Sequence, residues 1–303
     1  VGNIMRDMTI DDEGNVYGVL DYYAESEEVL PEGWSANAFC KKPHAGKVEH
    51  FGHSDAGVIE ITTGGKVEWA SWIGATNGND MITSVAVGKD HCPAIMLNTG
   101  SADMPTTPGA FCKSTPDQGA KATFAIPRVG GLSADGSKLL FGTYLGVWKG
   151  AALARTHNLA VDAQGSVFAT LQAQDDLPVT SGALQTKFGG KSDARIEGIP
   201  TGALLAARYV GGSGDGSCSG PDEIALDRDG NVVIACCTSS TDYPVTTGAS
   251  QPGNAGAGGR YPFDGAGCCF GTDGRLYVGG VTTSRDFPVK DAFQEKYAGD
   301  PGF

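Results

Sequence analysis

Four soft metal donors fall close together early in the chain: Cys40, His44, His50 and His53, with Asp55 just beyond. This short stretch holds three of the chain's five histidines. Imidazole and thiolate both suit zinc and copper, so zinc or copper at His44–His53 is the metal chemistry these residues offer. The spacing matches no compact zinc motif, and a solvated His-rich excursion explains it as well. Oxygen donors gather instead in the turns Asp11–Asn15 and Asp227–Asn231, where calcium is the alternative cation. The full Asp-X-Asp-X-Asp-Gly loop with a distant Glu is absent, and turn chemistry accounts for these residues without metal.

Asp103, Asp176, Asp242 and Asp286 each stand two residues before a proline. A group that recurs in four places is expected to do one structural job, with Asp accepting backbone N–H groups in a local turn beside a fixed proline φ. No Gly-X-Ser-X-Gly elbow or supported Ser, His and Asp set is present, so no catalytic residue is assigned. The loop Gly211–Gly216 lacks the lysine and following helix of a phosphate loop. The eight cysteines form no Cys-X-X-Cys pair, so an oxidising compartment with some disulfides is expected over a zinc ribbon or haem attachment. The doublets Cys236-Cys237 and Cys268-Cys269 fall in strand-like runs, where adjacent side chains face opposite sides. A bridge between the doublets and free, packed thiols are both open.

These residues hang on a repeated sentence. Ile224-Ala-Leu-Asp-Arg-Asp-Gly-Asn-Val-Val has fellows at Met8–Tyr17, Leu159–Phe168 and Cys268–Tyr277, with a degraded copy at Val85–Ile95. Gly-Asn or Asp-Gly between two apolar runs signals a hairpin, because such turns need residues that tolerate positive φ. An Asp-X-Pro loop follows in the last four copies, and an acidic stretch, Glu25–Pro31, replaces it in the first. A second hairpin then follows at Gly57–Gly74, Ala122–Gly146 and Ala194–Gly212. Two hairpins per unit of about 65 to 75 residues predict four-stranded antiparallel blades stacked face to face, an all-β propeller with at least five blades represented. The expected units are 1–80, 81–152, 153–218, 219–260 and 261–303 of a single domain.

The motifs Tyr209-Val-Gly-Gly-Ser-Gly-Asp215, Ile224-Ala-Leu-Asp-Arg-Asp-Gly-Asn-Val232 and Thr241-Asp-Tyr-Pro-Val-Thr-Thr-Gly-Ala-Ser-Gln251 resemble the bacterial SBBP family of seven-bladed β-propeller repeats. The resemblance implies a secreted or cell-surface protein, often joined to other modules, with no shared catalytic residues. Three departures stand out. The second unit lacks the Gly-Asn turn, the first carries an insertion around Pro43–Ser54, and Cys40 and Cys112 replace the usual Gln.

The Asp-X-Pro aspartates are separated by 73, then 66, then only 44 residues. One hairpin is therefore missing near 258–261, and the second hairpin of the last unit would begin beyond residue 303. Two readings fit the short interval. Either stretches of a longer protein are joined there, or one unit lacks a hairpin and leaves a strand edge open for a partner.

The net charge of −13 and the pI near 4.7 argue against nucleic acid and anionic membrane surfaces as partners. No apolar run is long enough to span a bilayer as a helix. The expected function is a non-catalytic, extracytoplasmic scaffold or interaction module that binds protein or glycan through its loops, within a larger chain or assembly. The rival is a propeller enzyme, either a polysaccharide hydrolase or lyase or an accessory subunit of a redox complex, with His44–His53 as its visible support.

Overall fold

The structure, a computed structural model, describes residues 4–23, 54–75, 80–114, 126–145, 156–173, 179–190, 193–199, 205–214, 223–235, 238, 240–249, 253, 267–279 and 289–296. Among these residues there are sixteen strands and no helix. Sheet A runs β1 (Ile4–Ile10), β2 (Val16–Tyr23), β3 (Ser54–Ile61), β4 (Val67–Ile73). Sheet B runs β5 (Asp80–Val87), β6 (Pro93–Thr99), β7 (Ile126–Leu132), β8 (Leu139–Tyr144). Sheet C runs β9 (Thr156–Val161), β10 (Val167–Ala173), β11 (Asp193–Ile199), β12 (Ala206–Val210). Two hairpins complete the set: β13 (Glu223–Leu226) with β14 (Val232–Ala235), and β15 (Gly267–Phe270) with β16 (Leu276–Gly279). All pairings are antiparallel and join consecutive strands. The all-β class and the antiparallel four-stranded sheets are as the sequence predicts.

The turns close for local reasons. Asp11 Oδ1 accepts the amides of Glu13 (3.0 Å) and Asn15 (2.8 Å), while the Gly14 amide returns to the Asp11 carbonyl. Asp162 and Asp227 repeat this geometry, with amides at 2.7–2.9 Å. The residue ending each turn has positive φ: Gly14 at 86°, Gly165 at 80° and Gly230 at 81°. That is the three-residue hairpin turn with a left-handed fourth position, which glycine occupies without steric cost.

Sheets stack because their strands are apolar on both faces. In β6, Ile95 and Leu97 join a core with Tyr17, Val19, Val58, Trp69 and Ile73 of sheet A. Ala94 and Met96, on the opposite face of β6, join Leu159, Val167, Ala169 and Leu171 of sheet C. Strand alternation thus sends one strand's side chains into two cores, and all of β6 is buried. By contrast β1 has one covered face, and Met8 and Ile10 remain exposed. The first strands of successive sheets are neighbours: β1 lies on β5, β5 on β9, β9 on β13, and β13 on β15.

Candidate functional site

The second unit lacks the turn aspartate and the turn glycine, and a cluster of ionisable side chains forms there. Gly88 takes the aspartate position, and His91 takes the glycine position with φ 55°. A side chain at this strained place projects from the turn, and His91 reaches the turn of the preceding unit. Its Nδ1 lies 2.9 Å from Asp11 Oδ2; its Nε2 lies 3.6 Å from Asp12 and 3.9 Å from Glu13. The Tyr17 hydroxyl completes the contact, 3.5 Å from Asp11 Oδ2 and 3.4 Å from the His91 carbonyl.

Electrostatics follow from this packing. Burial works to raise the Asp11 carboxyl, but hydrogen bonds from His91, Asn15 and two amides outweigh it and hold the carboxyl at about 2. The hydrogen bond to Asp11 raises His91 above the ordinary imidazole value. Burial, with the Glu60 and Asp11 charges, pushes the Tyr17 phenol far up. Asp11, Asp12 and His91 place one ligand atom each within 4.8 Å of one another and could hold a cation. Asp11 is already committed, however: its two oxygens receive the Glu13 and Asn15 amides, the Asn15 carboxamide, Tyr17 and His91. The arrangement works as a latch between two turns. His91 pairs with carboxylates rather than with a hydroxyl or thiol nucleophile.

A second junction lies deeper. Ser84 on β5 is fully buried, with Oγ 2.9 Å from Asp7 Oδ2 on β1 and 2.8 Å from the Asn158 carboxamide on β9. Asp7 Oδ2 accepts the Val85 amide (3.0 Å), and Ser84 Oγ accepts the Leu159 amide (3.2 Å). Asp7, Ser84 and Asn158 occupy the same place in their repeats, and Asp7 and Ser84 each cap an amide of the following sheet. Two residues earlier on β5, the Ile82 amide donates to buried Asp21 at 2.9 Å, and Asp21 pairs with Arg6.

The Asp-X-Pro segments brace these sheets from outside. Asp242 Oδ1 accepts both the amide (2.8 Å) and the hydroxyl (3.0 Å) of Ser213, in the Gly-Gly-Ser-Gly loop of the preceding unit. Its partner is therefore 29 residues away rather than in a local turn. Asp103 is exposed, but the loop behind it is anchored: the Met104 amide donates to the Tyr144 hydroxyl at 3.1 Å, and Arg128 donates to the Pro105 carbonyl. Arg128 is wholly buried, and burial lowers its guanidinium to about 10. Asp176 and Asp286 lie outside the described residues, as do Cys40, His44, His50, His53, Cys236 and Cys237. Cys268 is buried on β15, Cys269 is exposed beside it, and both carry free thiols. The Asp227–Asn231 turn holds its own amides as Asp11 does.

Sequence reasoning missed His91 and Ser84. A signal for the first existed: a bulky side chain stood where the sister turns need glycine. Ser84 had none, since its partners lie 74 to 77 residues away. No family model matches this chain, and no curated protein matches it.

Proposed function

We propose that the chain is a propeller-like array of repeat units serving as a non-catalytic, extracytoplasmic scaffold that presents its loops to a protein or glycan partner. The observation that carries the array is the succession of first strands, β1 on β5 on β9 on β13 on β15, each sheet stacked on the next. A sandwich or barrel would not bring the first strand of every sheet into one series. The polar groups support a structural reading. Asp7, Ser84, Asn158, Asp21 and Asp242 all spend hydrogen bonds on a neighbouring unit, and the Asp11–His91 pair joins two turns. The extracytoplasmic setting rests on the resemblance of the repeat sentence to secreted repeat proteins. The units 1–80, 81–152, 153–218, 219–260 and 261–303 are proposed as successive parts of one domain. Neither zinc or copper at His44–His53 nor calcium at the Asp turns is needed by this reading.

The purified chain should be screened on a glycan array and a panel of surface proteins at 0.15 M salt. Saturable, stoichiometric binding without turnover is expected. Release of new reducing ends from a polysaccharide would replace this reading with the hydrolase alternative.

A further inference from the structure

Among the described residues the fourth unit has both walls of a four-stranded sheet and no hairpin between them. The inner wall is β14, the counterpart of β2, β6 and β10. Each of those three strands pairs with a third strand on its outer edge: β3, β7 and β11. Strand β14 pairs with β13 through Leu226↔Val232 to Glu223↔Ala235, and among the described residues no strand takes its other edge. Its four residues are all half-exposed, whereas Val167, Ala169 and Thr170 at the matching places of β10 are buried.

The outer wall is the segment after the Asp-X-Pro proline. Thr107 donates its amide to the Gly142 carbonyl on β8 (3.2 Å), and its Oγ1 accepts the Gly142 amide (3.1 Å). Thr180 does the same with Ala207 on β12, at 3.1 and 3.0 Å. These arms therefore cap the outermost strand of sheets B and C and satisfy an edge that would otherwise invite pairing. Thr246 is the equivalent residue, and it stands in the same turn: the Ala249 amide donates to the Thr246 carbonyl at 3.1 Å, and Gly248 has φ 90°. Among the described residues its amide and hydroxyl meet no strand.

Chain length shows why. Between Cys112 and β9 lie residues 113–155, 43 of them, and between Gln185 and β13 lie residues 186–222, 37 of them. Between Gln251 and β15 lie only residues 252–266, 15 of them. The hairpins that fill this position elsewhere span residues 126–144 and 193–210, 19 and 18 residues, so the interval before β15 is shorter than one such hairpin.

We propose that the β14 edge and the Thr246 arm form a receiving slot for a β-hairpin of a partner polypeptide, inserted antiparallel to β14. Its first strand carries the chemistry of β11, with residues of the Ile196-Glu197-Gly198-Ile199 pattern opposite Ala235-Ile234-Val233-Val232. The register follows from β10, where Thr170, Ala169, Phe168 and Val167 face Ile196, Glu197, Gly198 and Ile199. Main-chain bonds to β14 and to Thr246 supply affinity, and the alternating side chains supply specificity. A second copy of this chain has its β11–β12 hairpin committed to its own sheet, so the donor is a different polypeptide with a free hairpin of this type. The inference rests on the reading of the chain as an array of like units.

The probe is a synthetic peptide with the sequence of residues 193–210, fluorescently labelled, titrated into the full chain and followed by anisotropy and amide exchange. The expected result is one-to-one binding, with slowed exchange confined to β14 and to the Thr246 amide. A peptide carrying Glu197→Pro, which removes the donor that faces Ile234 and blocks the ladder, should bind at least tenfold more weakly; Ile234→Pro in the protein should do the same. The peptide variant keeps the test valid if the protein variant does not fold. Equal binding of the proline peptide, absence of binding, or protection elsewhere would overturn the slot. So would self-association of the chain through β14 without peptide binding, or peptide mapping that finds extra residues between Gly258 and Phe263. Loss of the slot with the first-strand series intact would leave the array reading standing.

Discussion

Replacing Ser84 with alanine removes a side chain that ties its own sheet to both neighbouring sheets. The hydroxyl has a single proton to share between the Asp7 carboxylate at 2.9 Å and the Asn158 carboxamide at 2.8 Å, and it accepts the Leu159 amide at 3.2 Å. A net hydrogen bond is worth about 1 kcal/mol between neutral groups and about 1.5–3 kcal/mol where one partner is charged. Because the site is fully buried, water cannot replace the lost partner of the Leu159 amide. Asp7 keeps the Val85 amide, so its desolvation is only partly uncompensated. Bonds that share one atom do not add in full, and the net expectation is a loss of roughly 3 kcal/mol. Urea unfolding at fixed pH reads it as a lower midpoint with an unchanged slope. Asp7→Ala, alone and combined with Ser84→Ala, closes a double-mutant cycle with a coupling on the order of 1 kcal/mol or more. A loss below about 0.5 kcal/mol, the level of an ordinary surface change, would refute the claim that this junction holds the sheets together.

Gly136→Ala places a Cβ 2.3 Å from Trp69 Cε3 at a φ of 66°; the strain and overpacking together should cost about 2–4 kcal/mol, visible as a lower midpoint and altered Trp fluorescence. The latch between turns should depend on pH from both sides. Asp11 is held at about 2, below its ordinary 3.8, so its stabilisation is present above 3.8 and lost as pH falls through 2. His91 is raised above its ordinary 6.5, so its stabilisation is full below that value and lost as pH rises through the folded value. His91→Gly should flatten the high-pH side of stability measured against pH, whatever relief of positive φ does to the absolute value. Asp242→Ala should speed amide exchange at Ser213 and leave Val85 and Leu159 slow, which NMR resolves residue by residue.

The hairpins were legible because their determinants are local. Turns at Gly14, Gly165 and Gly230 announce a left-handed residue, and alternation such as Ile224-Ala-Leu announces a strand. All five first hairpins and the three second hairpins appear as strand pairs where the sequence places them. What was not legible depends on contacts across sheets. The density of histidines along the chain drew notice to His44–His53, while the histidine that meets carboxylates, His91, bonds Asp11 80 residues before it. The Asp-X-Pro aspartates read as local turn caps, yet Asp242 bonds the loop of the preceding unit. Sequence spacing reports a neighbour in the chain; these groups have neighbours in the stack.

The series of neighbouring first strands is tested most directly by a nuclear Overhauser experiment on the labelled chain. It predicts cross-peaks from Asp7 Hβ to the Val85 amide and from Ser84 Hβ to the Leu159 amide, together with contacts between β9 and β13 and between β13 and β15. Cross-peaks joining β5 or β9 to the outer strands of a neighbouring sheet, with none between first strands, would contradict it.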